Sequence, residues 1–260
     1  MIGPGSVLGV LGSGQLGRMF TIAARRMGYR VHTFSPDSDT PTGQVADVEV
    51  TAPYDDLDAL RAFARRVDVV TFEFENVPSA ATSAIESLVA VRPSPEALHI
   101  SQQRAREKQF LADRGFPTVP FAVAATQGEL AAALSRIGMP AIVKTAESGY
   151  DGKGQQVAAS ADQAERIWTS LGSQVLVVEK RVTLQAELSV IAARGLDGSV
   201  AQFPLFENRH RNHILDLTTA PAAVPAAVAA HAIEIARGIL DALEYVACCA
   251  SSSSSAPTAS

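Results

Sequence analysis

The chain has 260 residues, of which 47% are hydrophobic and 19% are charged, so it is long enough to form two or three compact units with buried cores. Its formal net charge of -5 argues against a nucleic-acid-binding surface, because binding to phosphate backbones depends on an excess of Lys and Arg. No positively flanked leader and no long uncharged run is found, so we expect a cytoplasmic protein without membrane partners.

Strand and helix signals alternate through the first hundred residues. Apolar runs predict strands over residues 7–11, 29–34 and 67–74, and helical periodicity predicts helices over residues 15–27 and 57–66. This alternation is typical of a parallel α/β sheet. We therefore expect an α/β protein with a parallel sheet in its N-terminal part.

A glycine-rich turn, GSGQLG, joins the first predicted strand to the first helix. Gly12, Gly14 and Gly17 match the GxGxxG fingerprint of dinucleotide sites. The second predicted strand, however, ends in Phe-Ser-Pro at residues 34–36, where a nicotinamide site needs an acidic residue for the ribose. The turn therefore has two interpretations: a weak dinucleotide motif, or a close approach of backbone N–H groups to some other phosphate or carboxylate.

Carboxylates alternate at the end of the third predicted strand, in the sequence TFEFENVP. Glu73 and Glu75 would lie on one face of this strand, at the edge where open α/β sheets bind ligands. The simpler interpretation is a solvated strand end, since glutamate is usually exposed. Asn76 follows in the turn.

A segment with two prolines at residues 92–98 marks a boundary, and a charged helix is predicted over residues 100–114. Its charged residues include Arg104, Arg106, Glu107 and Lys108. Most of these charges are expected to face water. Further elements are predicted as helices over 128–137 and 162–171, and as strands over 141–143, 156–159, 174–178 and 186–193.

The most informative segment is AIVKTAESGYDGKGQ, residues 141–155. A short apolar strand delivers Lys144 to a fixed position, and the loop behind it contains three glycines, which allow consecutive N–H groups to turn toward one anion. This layout favours a polyphosphate site. The alternative is a tight hairpin that is rich in glycine only because it turns sharply.

Taken together, four ordered segments resemble the ATP-grasp superfamily and, more closely, the N5-carboxyaminoimidazole ribonucleotide synthetase family. They are GSGQLGRM at 12–19, TFEFENVP at 71–78, AIVKTAESGYDGKGQ at 141–155 and FENRHRNHILDLTTAP at 206–221. Several motifs in order are far more specific than any one of them.

The resemblance implies a Rossmann-like, pre-ATP-grasp parallel α/β domain over residues 1–98. An ATP-grasp domain follows over residues 99–246, with its lid over about 118–180 and an incomplete large subdomain. The implied reaction is the carboxylation of 5-aminoimidazole ribonucleotide with bicarbonate, through carboxyphosphate, with ATP and Mg²⁺ as cofactors. Relatives form homodimers, and the implied partners are otherwise small-molecule substrates.

The resemblance also implies roles for individual residues. Lys144, Tyr150 and Lys153 are the catalytic candidates. Candidates for contact with ATP are Arg104, Lys144, Gly149, Tyr150, Asp151, Gly152, Lys153, Gly154, Gln155, Glu179, Lys180, Arg181, Val182, Glu187 and His210. Within this set, residues 149–155 would cover the phosphates, residues 179–182 would border the adenine, and Glu187 would take the ribose hydroxyls. Candidates for binding the imidazole ribonucleotide are Gly14, Gln15, Leu16, Glu73 and Asn76.

Several of these residues also have simpler interpretations. Arg104 would be a solvated helix residue by periodicity alone, and Glu187 a strand-edge charge. His210 lies in the polar run NRHRNH, which is either a surface loop or, because of its two arginines, an anion site.

After residue 246 the chain departs from the family pattern. In place of a strand with a metal-binding glutamate and a later Asn-Glu pair, it has Ala-Cys-Cys-Ala and five serines at residues 247–255. Loss of one nucleotide from codons for Gly-Val-Leu-Cys-Val-Glu-Phe-Phe-Leu reproduces this run. We therefore expect a frameshifted, low-complexity tail over 247–260, no metal ligands, and little or no synthetase activity. The two adjacent cysteines suit neither a disulfide framework nor a zinc site.

Other functions stay open at this point. Within the superfamily, formate-dependent glycinamide ribonucleotide transformylase and biotin carboxylase share the fold. A nicotinamide-dependent oxidoreductase built on GSGQLG is a more distant alternative, and a non-catalytic remnant is another.

Overall fold

The computed structural model of the chain describes residues 2–147, 154–172, 174–211 and 214–255. The chain forms two compact units, one of Met1–His99 with Tyr245–Ala247 and one of Ile100–Glu244 with Cys248–Ser260. No helix in the described part of the chain combines the length and hydropathy that a membrane span requires.

The first unit is built on a four-stranded sheet in the order β3-β2-β1-β4, with every pairing parallel. Its strands are β1 (Val7–Leu11), β2 (Arg30–Ser35), β3 (Val48–Thr51) and β4 (Val69–Phe72). The helices are α1 (Gln15–Arg26), α2 (Leu57–Ala64), α3 (Ser79–Ser83) and α4 (Pro95–Ser101). The predicted parallel α/β fold is confirmed, with β3 added to the predicted strands.

Strand β1 lies at the centre of this unit. All five of its residues are buried, because a central parallel strand is covered on both faces. The largest core side chains on one side include Leu11, Phe34, Leu60 and Phe63, with the Phe34 and Phe63 ring centroids 5.4 Å apart. This packing fixes the loop that follows β1, where the glycine-rich turn begins.

The second unit begins with α5 (Arg104–Asp113) and contains a four-stranded antiparallel sheet in the order β5-β8-β6-β7. Its strands are β5 (Phe121–Ala124), β6 (Ala141–Thr145), β7 (Gln155–Ala158) and β8 (Leu176–Lys180). A 3₁₀ turn (Ala161–Gln163) and two helices, α6 (Gln127–Ile137) and α7 (Ala164–Ser170), complete this part. One face of the sheet packs on α6 and α7, and the other faces α5.

Local signals set the bounds of α6. The Thr126 hydroxyl accepts a hydrogen bond from the Glu129 N–H at 3.2 Å, and the Glu129 carboxylate accepts one from the Ala125 N–H at 2.6 Å. This reciprocal capping satisfies donors at the helix start. The helix ends at Gly138, whose φ of 77° favours glycine.

A second antiparallel sheet completes this unit, in the order β10-β9-β11-β12, and β13 pairs with β9. Its strands are β9 (Ala186–Arg194), β10 (Val200–Gln202), β11 (Phe206–Arg211), β12 (Ile214–Thr219) and β13 (Ala247–Ser255). Helix α8 (Ala226–Ala242) contacts β9 and buries Ala232, Ala236 and Leu240.

Three sequence-based expectations about secondary structure are wrong. The predicted helix over 100–114 is interrupted, because α4 ends at Ser101 and α5 begins at Arg104. The strand predicted to run to residue 74 ends at Phe72. The low-complexity tail, for which no helix or strand was expected, contains the strand β13 over Ala247–Ser255, which pairs with β9.

Candidate functional site

Lys144 and Glu179 form a close ion pair on the first sheet of the second unit. Strands β6 and β8 are antiparallel, with Ile142 opposite Glu179 and Lys144 opposite Val177. Lys144 and Glu179 are therefore diagonal neighbours on one face of the sheet. Lys144 Nζ lies 2.7 Å from Glu179 Oε2.

A second ammonium reaches the same carboxylate from α5. Lys108 Nζ lies 3.2 Å from Glu179 Oε1, an ion pair without an aligned hydrogen bond, and 5.6 Å from the centroid of the Phe121 ring. The Lys108, Lys144 and Glu179 side chains are only 16%, 22% and 8% exposed. Burial acts to raise the pKa of Glu179, but attraction and hydrogen bonding by Lys144, together with the charge of Lys108, outweigh it, so the pKa is lowered.

Arg104, the first residue of α5, contacts the end of β6, the strand that carries Lys144. Its backbone N–H donates to the Ala146 carbonyl at 2.8 Å, and its guanidinium donates to the Thr145 carbonyl at 2.9 Å. Thr145 Oγ1 is buried and has no hydrogen-bond partner in the described part of the chain. The expectation that the charges of α5 mostly face water is therefore wrong for Arg104 and Lys108, because both side chains turn toward β6 and β8.

The glycine-rich loop after β6 is described only at its end. Gly149, Tyr150, Asp151, Gly152 and Lys153 lie outside the described residues. Gly154, with φ of 68°, accepts a hydrogen bond at its carbonyl from the Thr145 N–H at 2.8 Å, and Gln155 pairs with Lys144 across the strands. The end of the loop is thus held beside Lys144.

The exit of β8 contains the four residues assigned to the adenine. Lys180 turns away from Glu179, since successive strand residues face opposite sides, and its Nζ donates to the Met139 carbonyl at 3.2 Å. The Arg181 N–H donates to the Pro140 carbonyl at 3.2 Å, and Val182 is exposed. The Lys180 N–H also donates to the Pro120 carbonyl at 2.9 Å, so backbone hydrogen bonds hold this segment at both residue 180 and residue 181.

Glu187 and His210 meet on the second sheet of this unit. Strands β9 and β11 are antiparallel, and Asn208 lies opposite Glu187. His210 Nδ1 lies 2.5 Å from Glu187 Oε2, and both side chains are 38% exposed. Two residues that are 23 positions apart and were assigned to one nucleotide site are thus in contact.

In the first unit, the glycine turn closes around a carboxylate. The Gly14 N–H donates a hydrogen bond of 2.6 Å to Glu73 Oε2 at the start of α1. A Cβ at Gly12 would lie 2.7 Å from Glu73 Cβ, and a Cβ at Gly14 would lie 2.6 Å from Glu73 Oε1. A Cβ at Gly17 would collide with the Thr42 hydroxyl. Of the two interpretations of the turn, the structure favours the close approach to a carboxylate.

The remaining substrate candidates surround the same turn or follow β4. Gln15 and Leu16 begin α1, and Leu16 is exposed. Asn76 is exposed in the segment after β4. The predicted strand alternation of Glu73 and Glu75 is wrong, because β4 ends at Phe72 and Glu73 turns back toward the glycines.

The described residues contain no dedicated cluster of metal ligands. No group of three or more His, Cys, Asp or Glu side chains within them is close enough to hold a metal. In nucleotide sites Mg²⁺ is commonly held by one or two carboxylates together with substrate phosphates and water, so these residues by themselves define no magnesium site, and no chemical step is assigned to this ion.

Comparison with known proteins decides the family. A model of the ribonucleotide synthetase preATP-grasp domain matches residues 6–102, and a model of the ATP-grasp domain matches residues 109–251. The N5-carboxyaminoimidazole ribonucleotide synthase of Brucella melitensis is 43% identical over 245 residues, which cover 94% of this chain and 68% of the relative. This chain belongs to the N5-carboxyaminoimidazole ribonucleotide synthase family.

Solved structures of the family agree with this assignment. The ADP complex of an N5-carboxyaminoimidazole ribonucleotide synthetase superposes with a TM-score of 0.91 at 35% identity, covering 97% of this chain and 67% of that one. The Aspergillus clavatus N5-carboxyaminoimidazole synthase, bound to ADP and 5-aminoimidazole ribonucleotide, gives 0.86 at 28% identity, covering 95% and 65%. The chain thus spans about two thirds of these family members. Its fold class, a preATP-grasp unit followed by ATP-grasp elements, is confirmed.

Lys108 is the candidate residue that sequence reasoning missed. A signal was available, because Arg104 and Lys108 are four residues apart and so share one face of α5. The signal was hidden because the helix carries charges on several faces and has no apolar stripe to orient it.

Proposed function

We propose that this chain binds ATP in its second unit and serves the reaction of its family, the ATP-dependent carboxylation of 5-aminoimidazole ribonucleotide by bicarbonate in purine biosynthesis. The contact between Glu187 and His210 carries the nucleotide part of the proposal. The two residues lie on separate strands, β9 and β11, and both were assigned to the nucleotide site.

Lys144 and Arg104 are proposed to contact the phosphates. Lys144 is the penultimate residue of β6, the strand that leads into the glycine-rich loop, and the Arg104 guanidinium donates to the carbonyl of the next residue, Thr145. Cations at these positions would stabilise the charge that develops during phosphoryl transfer. Tyr150 and Lys153, in the loop, are proposed to act beside Lys144 on the reacting groups.

The remainder of the nucleotide is proposed to lie along β8 and β9. Residues 179–182 would border the adenine through their backbone, and Glu187 would accept hydrogen bonds from the ribose hydroxyls. Residues 149–155 would cover the phosphates. Glu187 now contacts His210 at 2.5 Å, so the ribose would compete with the imidazole for one carboxylate.

The carboxylation of 5-aminoimidazole ribonucleotide would proceed in two steps. A bicarbonate oxygen attacks the γ-phosphorus of ATP, the bond to ADP breaks, and carboxyphosphate forms. The exocyclic amine of the imidazole ribonucleotide then attacks the carboxyphosphate carbon, phosphate leaves, and the nitrogen loses a proton. The cations of this chain that we propose to stabilise the transferring phosphoryl group are Lys144 and Arg104.

The imidazole ribonucleotide is assigned to the first unit. Gly14, Gln15, Leu16, Glu73 and Asn76 are proposed to contact it. Glu73 already occupies the anion position of the glycine turn, so we assign Glu73 to the hydroxyls or ring rather than to the phosphate.

The hydrogen bond from the Gly14 N–H to Glu73 argues against the alternative of a nicotinamide-dependent oxidoreductase. A dinucleotide pyrophosphate needs the N–H groups at the start of α1, and Glu73 takes the N–H of Gly14. The relatives compared above are named as synthases of N5-carboxyaminoimidazole products. This makes the other ATP-grasp enzymes, formate-dependent glycinamide ribonucleotide transformylase and biotin carboxylase, less favoured.

Calorimetric titration with ATP, with and without Mg²⁺, tests the nucleotide part of this proposal. We expect binding by the unaltered chain, weakened at least tenfold in Lys144→Met, which corresponds to about 1.4 kcal/mol. Arg136→Met is the control, because it removes a cation from an exposed position on α6. Binding of NADH without binding of ATP would overturn the proposal.

The acceptor is tested by ADP release. Release that depends on both bicarbonate and 5-aminoimidazole ribonucleotide supports the assigned reaction, whereas dependence on formate and glycinamide ribonucleotide contradicts it. We expect little or no turnover from this chain, since the described residues show no cluster of metal ligands, and turnover near that of a complete family member would contradict this expectation.

We also propose a cytoplasmic location and a homodimer. The location fits an enzyme of nucleotide metabolism whose described helices include no membrane span. Light scattering during size-exclusion chromatography tests the dimer, and a mass of one chain, 27.3 kDa, would contradict it.

A further inference from the structure

The cluster of Lys108, Lys144 and Glu179 has an excess of positive charge. Each oxygen of the Glu179 carboxylate contacts a different ammonium, Oε1 at 3.2 Å from Lys108 and Oε2 at 2.7 Å from Lys144. Two cations and one carboxylate sum to one positive charge, and the neighbouring Arg104 and Glu107 side chains, which interact with the same groups, add two charges of opposite sign. Without Lys108, the carboxylate would neutralise Lys144 completely.

The two lysines differ in what surrounds them. Lys144 belongs to β6, five residues before the first residue of the loop proposed to cover the phosphates, and pairs with Gln155 at the end of that loop. Lys108 belongs to α5 and sits over the ring of Phe121, which is the cross-strand partner of Glu179. A cation over an aromatic face is attracted to it, so Lys108 has a second reason to stay beside Glu179.

Movement of Lys144 toward an anion has an electrostatic cost. Glu179 is 8% exposed, and a buried carboxylate that loses its only cation is strongly destabilised. Lys108 removes this cost, because the carboxylate keeps one ammonium when the other turns to a phosphate.

We propose that Lys108 is a positioning residue that holds Glu179, so that Lys144 is free to engage the polyphosphate of a nucleotide. The inference rests on the proposed binding of ATP at Lys144. Lys108 itself contacts no phosphate in this arrangement and acts only through Glu179.

The test is the affinity for ATP, measured by calorimetry, of the unaltered chain and of Lys108→Met, Lys108→Arg, Glu179→Gln and the double variant Lys108→Met/Glu179→Gln. Lys108→Met should weaken binding by roughly tenfold or more, as expected when about 1.4 kcal/mol is lost. Lys108→Arg keeps the charge and should stay within about threefold of the unaltered chain. Arg136→Met, which removes an exposed cation from α6, is the control for net charge.

The double variant separates positioning from a merely structural role. If Lys108 acts through Glu179, removal of the carboxylate charge makes Lys108 dispensable, and the double variant should bind ATP more tightly than Lys108→Met. Circular dichroism and Trp168 fluorescence establish that each variant is folded, since Trp168 packs against the core of this sheet.

Each result has a definite meaning. If the unaltered chain binds ATP and Lys108→Met binds equally well, the inference is wrong while the proposed function stands. The same holds if the double variant is no better than Lys108→Met. If Lys144→Met and the unaltered chain both fail to bind ATP, the proposed function and this inference fail together.

Discussion

The backbone N–H of Gly14 donates a hydrogen bond of 2.6 Å to the carboxylate of Glu73, 59 residues further along the chain. The bond places a negative charge at the N-terminus of α1, where the helix dipole stabilises it. It also explains why glycine is needed at this turn, since Cβ atoms at Gly12 and Gly14 would collide with Glu73. The motif is thus, first of all, an internal carboxylate site.

Gly12→Ala is expected to destabilise the first unit by about 2–4 kcal/mol. Gly12 has φ of 108°, and a Cβ there would lie 2.7 Å from Glu73 Cβ. The positive φ alone costs about 1–2 kcal/mol for a residue with a side chain. Hydrogen exchange of the β1 amides measures the effect, because the single tryptophan, Trp168, lies in the other unit.

Gly3→Ala is the control for this substitution, because a Cβ at Gly3 meets nothing within 4 Å. Its effect should stay within about 0.5 kcal/mol. Equal effects of the two substitutions would contradict the steric account of the turn.

Leu134→Ala is expected to destabilise the second unit by about 2–5 kcal/mol. Leu134 lies on α6, is fully buried, and belongs to the core between α6, α7 and the sheet. Leu196→Ala removes the same atoms from a side chain that is 70% exposed and should have little effect. Urea denaturation, monitored by Trp168 fluorescence, compares the two variants. Similar urea midpoints for Leu134→Ala and Leu196→Ala would disprove this assignment of the core.

Glu179→Gln is expected to destabilise the second unit by about 3 kcal/mol at pH 7, because two poorly exposed ammonium groups lose their carboxylate. The pKa of Glu179 is lowered from its ordinary value of 4.5. Its contribution to stability is therefore present above about pH 4.5 and is lost as the pH falls through the folded-state pKa.

The difference in unfolding free energy between the unaltered chain and Glu179→Gln should consequently narrow in acid. Trp168 fluorescence during urea denaturation at neutral and acid pH measures it. Glu165→Gln, at an exposed position on α7, is the control and should show a small difference at every pH. If the difference in unfolding free energy between the unaltered chain and Glu179→Gln does not depend on pH, the ion-pair account is ruled out.

Glu187→Ala is expected to weaken ATP binding by roughly tenfold, which corresponds to about 1.4 kcal/mol. If Glu187 accepts the ribose hydroxyls, the unaltered chain should also bind 2′-deoxy-ATP or 3′-deoxy-ATP less tightly than ATP. The variant should no longer distinguish at least one deoxynucleotide from ATP. Isothermal titration gives the affinities of the unaltered chain and of Glu187→Ala for ATP and for the deoxynucleotide. If the losses caused by the substitution and by the missing hydroxyl simply add, Glu187 does not contact that hydroxyl.

Much of the fold could be predicted because its signals are local. The buried run of β1 and the turn at Gly12 follow from neighbouring residues, as does α6, which was predicted from residue 128 and begins at Gln127. The elements that were missed, such as β5 and the exposed strand β12, have short or mixed patterns that neighbouring strands complete by pairing.

The sequence by itself determined the family, the order of the strands and helices around Lys144, and the presence of a glycine-rich turn after β1. Only the tertiary structure decided that Glu73 fills the glycine turn, that Lys108 shares Glu179 with Lys144, and that His210 meets Glu187. The reason is physical. Each of these contacts joins residues on separate elements, so it depends on strand register and helix packing, which no local pattern of side chains specifies.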